Sequence, residues 1–311
     1  MTISEFKNYC KEQLSELYTD SESAFLCTVF IEKTVGFNSF YQRRFADQQL
    51  LADDENKLKE IISELKTGKP YQHILGETDF YGMTFFVNEN VLVPRPETEE
   101  LLELAIKEIT KYISRIRQVD VQSEQTGHPN TQTSGSSSVE NPELKKIKIL
   151  DIGTGSGVIP LVLKKHFPQA ELTSVDFSEK ALETARKNAE FYRLEVNFIH
   201  ADYLNYDLNE NFDVIISNPP YIGIEEENEI ADSVKEFEPK MALFSPTDDA
   251  LIFYRKIAEH AGKYLNENGL LFLEINQKLG PETLELYKNG FSEALLIKDL
   301  SRNDRFVFGR K

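Results

Sequence analysis

In "KIKILDIGTGSGVIPLVLKKHF", Lys146 to Phe167, a short isoleucine-rich run meets a glycine-rich turn and then a longer apolar run closed by two lysines and a histidine. The first run has the length and β-branched character of a buried strand, and the second has the length and closing charges of a helix. Glycines at 153, 155 and 157 let the chain turn sharply between them and let a ligand come close to the backbone. A dinucleotide fingerprint G-x-G-x-x-G would need glycine at 158, where this chain has Val158, which weakens a nicotinamide reading. What remains is a tight loop presenting free N–H groups at a helix start, a feature that a plain strand-to-helix turn shares.

The same alternation continues downstream. "ELTSVD" is a strand, "SEKALETARKNAEFY" a helix, "VNFIH" and "DVIISN" strands, "DALIFYRKIAEHAGKYL" a helix and "GLLFLEIN" a strand. The end, "EALLIKDLSRNDRFVFGRK", carries two more strands about a polar turn. Alternating units of this kind give a parallel sheet covered by helices, and the last pair supplies one antiparallel edge. The fold class expected is α/β and Rossmann-like. Ligands of such sheets sit outside the carboxyl ends of the strands.

Three strand ends carry candidate groups. Asp176 closes the second strand, where a carboxylate can accept both ribose hydroxyls of an adenosine ligand; a turn or cap residue would look alike. Asp202, after the third strand, can meet an adenine amino group, and Tyr203 can offer a ring surface. Asp151, on the first strand, can balance a positive ligand or simply order the glycine loop. An adenosine ligand without a pyrophosphate fingerprint points to S-adenosylmethionine, held by the turn of Gly153, Gly155 and Gly157 with Asp176, Asp202 and Tyr203.

The fourth strand runs into Asn218-Pro219-Pro220-Tyr221. Proline biases the residue before it to an extended conformation, fixes its own φ and removes a donor. The corner is therefore stiff and rich in acceptors, chiefly the Asn218 side-chain oxygen and the Pro219 carbonyl. Such a corner suits a planar –NH2 group, whose nitrogen is a poor nucleophile until both hydrogens are held and its lone pair is aimed. Tyr221 would pack over the acceptor plane. Asn218, Pro219 and Tyr221 are the candidate catalytic residues.

Upstream, "SEFKNYCKEQLSELY" spaces Phe6, Cys10, Leu14 and Leu17 as one helical stripe, "SESAFLCTVFIEKTVGF" follows with Ser21 as cap, and "DENKLKEIISELKTG" adds a third helix. "GETDFYGMTFFVNENVLVPRP" changes to aromatic and β-branched residues about Gly82, a hairpin. A helix from Glu97 to about Arg117 comes next. Gln118 to Glu143 is polar and poor in apolar anchors, and is expected to be a disordered insertion. The expected organisation is residues 1–75 helical, 76–95 a hairpin bridge and 96–311 the α/β part.

The chain has 311 residues, 35 Lys and Arg against 52 Asp and Glu, and a formal net charge of −17, which disfavours a nucleic-acid backbone as partner. No run approaches a membrane span, the start is too charged for a signal peptide, and a cytoplasmic location is expected. Cys10, Cys27 and the scattered histidines suggest no metal site.

On "GKPYQHILGETDFYGMTFFVNENVLVPRPETEELLE", "ILDIGTGSGVIPL", "VDFSEKALETARKN", "SNPPYI", "FEPKMALF" and "KDLSRNDRFV", the chain resembles the PrmC/HemK family of peptide chain release factor glutamine N5-methyltransferases. That resemblance implies a class I S-adenosylmethionine-dependent methyltransferase with a seven-stranded sheet, a small N-terminal helical domain that recognises release factors, and as acceptor the glutamine of their GGQ motif. It also implies that Gly153, Thr154, Gly155, Ser156, Gly157, Asp176, Tyr203 and Asn218 contact the cofactor, that Asn218, Pro219, Pro220 and Tyr221 hold that glutamine, and that Phe80 and the turn at Arg95 to Thr98 close over the site; a hairpin core and a helix start are the plainer readings of the last two. The aromatic position after Asp202 is commonly tryptophan in the family. The competing readings are a nucleic-acid adenine-N6 methyltransferase, which would want a basic surface, and a binding protein that keeps the fold without the chemistry.

Overall fold

A computed structural model describes residues 1–125, 146–223, 226 and 232–311, and divides the chain into two compact units. The first comprises Met1–Asp79, Thr84–Val93 and Glu225–Lys240, and the second Phe80–Met83, Pro94–Ile224 and Met241–Lys311.

The first unit is built on α1 (Ile3–Leu14), α2 (Asp20–Val35), α3 (Ser39–Arg44), α4 (Ala52–Leu65) and α5 (Tyr71–Leu75). Phe6, Cys10 and Leu14 of α1 pack with Phe30 and Ile31 of α2 and with Leu58, Ile62 and Leu65 of α4 in one core. Each such side chain contributes about 1.5–3 kcal/mol relative to exposure. Leu17, expected on the α1 stripe, is 55% exposed because the helix has ended at Leu14. The cap of α2 is Thr19 rather than Ser21, since Glu22 lies three residues after Thr19 and closes a capping box. The short helices α3 and α5 are not expected from apolar spacing; Asn38 caps α3 by accepting from the N–H groups of Phe40 and Tyr41.

The hairpin joins β1 (Glu77–Phe80) to β2 (Met83–Phe86). Tyr81 and Gly82 both take positive φ, 50° and 66°, as a two-residue primed turn requires.

The second unit holds β3 (Lys148–Ile152), β4 (Glu171–Asp176), β5 (Asn197–His200), β6 (Phe212–Ser217), β7 (Leu265–Glu274), β8 (Glu293–Lys298) and β9 (Asp304–Arg310) in one seven-stranded sheet of order β5-β4-β3-β6-β7-β9-β8. The strands from β5 to β7 are parallel, and β9 runs antiparallel to both β7 and β8. This is the class I methyltransferase sheet with its antiparallel edge. Strand order reverses between β3 and β6, so their carboxyl ends flank the crevice where such folds place ligands. The helices are α6 (Pro96–Gln125), α7 (Val158–His166), α8 (Glu179–Tyr192), α10 (Lys240–Leu243), α11 (Ile252–Tyr264) and α12 (Gly280–Glu285), with α9 (Asp232–Phe237) assigned to the first unit. Helix α6 continues past the expected end near Arg117, because no glycine or proline follows Pro96 until Gly127. Residues 118–125 are therefore helical, and the disorder expected of 126–143 lies outside the described residues.

Candidate active site

Gly153, Gly155 and Gly157 take φ of 86°, 53° and 84°, a region that side-chain-bearing residues rarely adopt. Gly157 starts α7, and a Cβ there would lie 3.1 Å from the Ala185 Cβ of α8. A Cβ on Gly153 would reach the Asn218 carbonyl at 3.4 Å, so the glycine loop and the β6 corner touch through backbone. Thr154 and Ser156 are buried: the Thr154 hydroxyl is 2.6 Å from that of Ser174, and the Ser156 carbonyl accepts from Asn188. The loop therefore turns its side chains inward.

Two carboxyl groups end the adjacent strands behind this loop. Asp151 is fully buried; its Oδ2 accepts from the Ser174 hydroxyl, and its Oδ1 has no hydrogen-bond partner among the described residues. Burial pushes its carboxyl up to about 8, the Ser174 hydrogen bond holds it down in part, and neighbouring Asp176 pushes it further up. Asp176 is likewise raised by burial, against hydrogen bonds from backbone N–H groups. Asp176 Oδ2 accepts from Gly155 N–H at 2.9 Å and Oδ1 from Ser178 N–H at 2.8 Å, so it orders the glycine loop and the entry to α8. Neither carboxyl forms an ion pair among the described residues.

At the β6 corner, Asn218 Nδ2 donates to the Thr98 hydroxyl at 3.1 Å, and that hydroxyl donates to Glu274 Oε2 at 2.7 Å. Thr98 lies in the first turn of α6 and Glu274 ends β7, so three elements meet in one chain of hydrogen bonds. The Tyr221 hydroxyl donates to Glu274 Oε1 at 3.5 Å, and Asn276 Nδ2 donates to the Tyr221 carbonyl at 3.2 Å. Among the described residues neither Asn218 Oδ1 nor the Pro219 carbonyl accepts a hydrogen bond. Burial raises the Tyr221 hydroxyl well above its ordinary range, with Glu274 adding to it. The Tyr221 ring is thus tied back toward β7.

The remaining expected residues divide. Arg95 directly precedes α6 and acts electrostatically on Tyr221, so the structure brings it to the corner. Phe80 is 2% exposed at the end of β1, which favours its plainer reading as hairpin core. Asp202 closes its own turn, accepting from Leu204 N–H and Asn205 Nδ2. Tyr203 differs from expectation: it is 4% exposed within the core cluster, its hydroxyl 3.0 Å from His260 Nδ1, so it offers no open ring face on the rim. Burial of a large aromatic, with its polar tip satisfied by α11, outweighs exposure. Sequence reasoning misses Glu274, although an acid ending the apolar run "GLLFLE" on the ligand-bearing rim is a visible signal. Among the described residues no group of three or more histidine, cysteine or acidic side chains is placed to hold a metal ion.

A family model described as Methyltransferase small domain matches residues 137–236. A release factor glutamine methyltransferase of Flavobacterium psychrophilum is 40% identical over 99% of this chain and 98% of its own length. One of Streptococcus pneumoniae is 36% identical over 97% and 95%, and one of Bacteroides thetaiotaomicron 33% identical over 96% of each. With relatives this similar along almost the whole of both chains, the protein belongs to the release factor glutamine methyltransferases.

Proposed function

We propose that this protein transfers the methyl group of S-adenosylmethionine to the side-chain N5 of the glutamine in the GGQ motif of peptide chain release factors. The observation that carries the reading is the β6 corner, where Asn218 is held by its nitrogen while its oxygen and the Pro219 carbonyl remain without donors among the described residues.

The chain's own groups fit the cofactor. A glycine loop whose side chains turn inward borders Asp176, and two desolvated carboxyls that form no ion pair among the described residues favour a positively charged ligand. Gly153 to Gly157 and Asp176 would hold it, with Asn218 and Asp202 at the neighbouring strand ends and Tyr203 supporting the rim from beneath. When bound, S-adenosylmethionine supplies a methyl group made electrophilic by a positive sulfur.

An amide nitrogen shares its lone pair with the carbonyl and is too weak an acid for an ordinary general base to deprotonate. Asn218 Oδ1 and the Pro219 carbonyl supply two fixed acceptors for its two hydrogens, which localises the lone pair and points it at the methyl carbon. Catalysis is then positioning and electrostatics on a preorganised corner, and the proton leaves once methylation has made the nitrogen acidic. Tyr221, Pro220 and Arg95 frame the acceptor, and the helical segment 1–75 recognises the release factor. Net charge disfavours direct nucleic-acid binding, and no helix among the described residues is long and apolar enough to cross a membrane, which supports action in the cytoplasm.

Incubation with labelled S-adenosylmethionine and a release factor, with and without its GGQ glutamine replaced, followed by location of the label by mass spectrometry, tests this reading. Label on that glutamine alone is expected. Label on DNA and never on protein would overturn the proposal in favour of an adenine-N6 methyltransferase.

A further inference from the structure

Asn218 can hold an acceptor –NH2 only if its oxygen faces the acceptor, yet the two ends of a carboxamide are almost the same shape. Proton counting makes the choice. The Thr98 hydroxyl carries one hydrogen and stands 2.7 Å from Glu274 Oε2 and 3.1 Å from Asn218 Nδ2. An ionised carboxylate can only accept, so the hydrogen goes to Glu274 and Thr98 has only lone pairs left for Asn218. The end of Asn218 that turns toward Thr98 must then be its NH2 group.

We propose that Glu274 is a positioning residue which, acting through the Thr98 hydroxyl, sets the direction of the Asn218 side-chain amide and so keeps Oδ1 turned toward the acceptor nitrogen. This rests on the methyl-transfer reading given above and names the part of the chain that orients its corner. The placement of Glu274 suits that role, since it is 1% exposed at the end of β7 and its second oxygen takes the Tyr221 hydroxyl of the same corner.

The groups around Glu274 leave it balanced. Burial pushes its carboxyl up to about 7; the Thr98 hydrogen bond and Arg305 of β9 hold it down, Glu97 of α6 pushes it up, and the Tyr221 hydroxyl holds it down. Arg305 is itself paired with Asp299 at 3.0 Å. Tyr254 of α11 is neutral and gives its hydroxyl to the Glu274 backbone carbonyl. Below about 7 the carboxyl carries a proton and can donate to Thr98, which can then donate to Asn218. The whole chain runs backwards, Oδ1 turns inward, and an NH2 group faces the acceptor's NH2. The rate of methyl transfer therefore falls as the pH drops through about 7.

Three variants and two readouts test this. Thr98→Val keeps the shape and removes the relay: kcat on a release factor should fall at least about tenfold, with KM and the cofactor dissociation constant within about twofold, and Thr98→Ser should recover most of the rate. In selectively 15N-asparagine-labelled protein, the side-chain signal absent from Asn218→Asp reports the amide directly. In the wild type it should shift between pH 6 and 8.5 with a midpoint near 7, and in Glu274→Gln and Thr98→Val it should not. A Thr98→Val enzyme with unchanged kcat, or a midpoint that survives in Glu274→Gln, would overturn the proposal. The spectroscopic arm needs no acceptor: if the wild type leaves GGQ unlabelled, the functional reading falls while the relay is still decided.

Discussion

Asn218 and Asp176 stand about one loop apart and carry different loads. On the proposed function Asn218 meets the acceptor, so Asn218→Ala should lower kcat by about a hundredfold or more while leaving the cofactor dissociation constant nearly unchanged. On the same proposal Asp176 would give the cofactor charge-assisted hydrogen bonds, so Asp176→Ala should raise that constant by about ten- to a hundredfold. Calorimetric titration beside single-turnover rates separates the two, and equal loss of both properties in both variants would sink the assignment. Asp151 makes a separate prediction about stability. Its carboxyl moves from an ordinary 3.8 in the unfolded chain up to about 8 in the fold, so the folded state binds its proton more tightly. The stability this contributes is present in full below the unfolded value and is lost as pH rises through about 8. Asp151→Asn can keep the Ser174 hydrogen bond without the charge. Its melting-temperature advantage over the wild type should grow between pH 5 and pH 8.5 by on the order of several degrees, since 1 kcal/mol moves a unit of this size by about 2–4 °C. A melting curve unchanged at pH 8.5 would mean that the carboxyl ionises without penalty. Glycines and prolines announce these strand ends in the sequence because glycine permits, and proline fixes, backbone angles that other residues rarely take. The Thr98–Glu274 contact spans 176 positions and exists only once β7 lies beside β6, which no local pattern encodes.

At the scale of elements, the most legible features are those that short-range physics controls. Buried parallel strands appear as apolar runs such as "DVIIS", and β6 is buried along its length. Boundaries are less legible where a distant partner sets them. Strand β7 begins at Leu265, ahead of the glycine expected to open it, because Leu265 pairs with Phe212 of β6. Helix α6 shows the opposite limit, running beyond the end expected near Arg117. Among the described residues its buried apolar side chains are Leu101, Leu102, Ala105, Ile109 and Tyr112, and the Tyr112 hydroxyl donates to Asp213. Gln118 to Glu143 is polar and poor in apolar anchors, so deleting it should leave the methylation rate within about twofold and the melting temperature within a few degrees. A large loss in either would show that this segment contributes a surface or a contact of its own.

Across the whole molecule, the two units carry separate cores, one of helices and one around the sheet. The split into a helical beginning and an α/β remainder is visible because apolar spacing changes from three-and-four to continuous runs. The assignment of residues 84–93 and 225–240 to the first unit is not, since both stretches are distant in sequence from the helices they join and no local pattern encodes that grouping. The candidate catalytic residues gather on the second unit, and the first is the one proposed to choose the protein substrate. A surface of α3 has the composition of such a contact: Phe40 and Tyr41 are 57% and 46% exposed, and Tyr41 stacks on Phe45 at 6.1 Å. Exposed aromatics are the residues that most often dominate a protein interface, at about 1–2 kcal/mol or more each when truncated. Phe40→Ala combined with Tyr41→Ala should therefore raise KM for the release factor by about tenfold or more, leaving the cofactor dissociation constant unchanged. The double variant also loses the Tyr41–Phe45 stacking, so the melting temperature is read beside KM to separate a local loss of stability from a loss of binding. If KM stays at the wild-type value, recognition of the release factor must rest on other residues, and the helical unit loses its assigned role without disturbing the chemistry at Asn218.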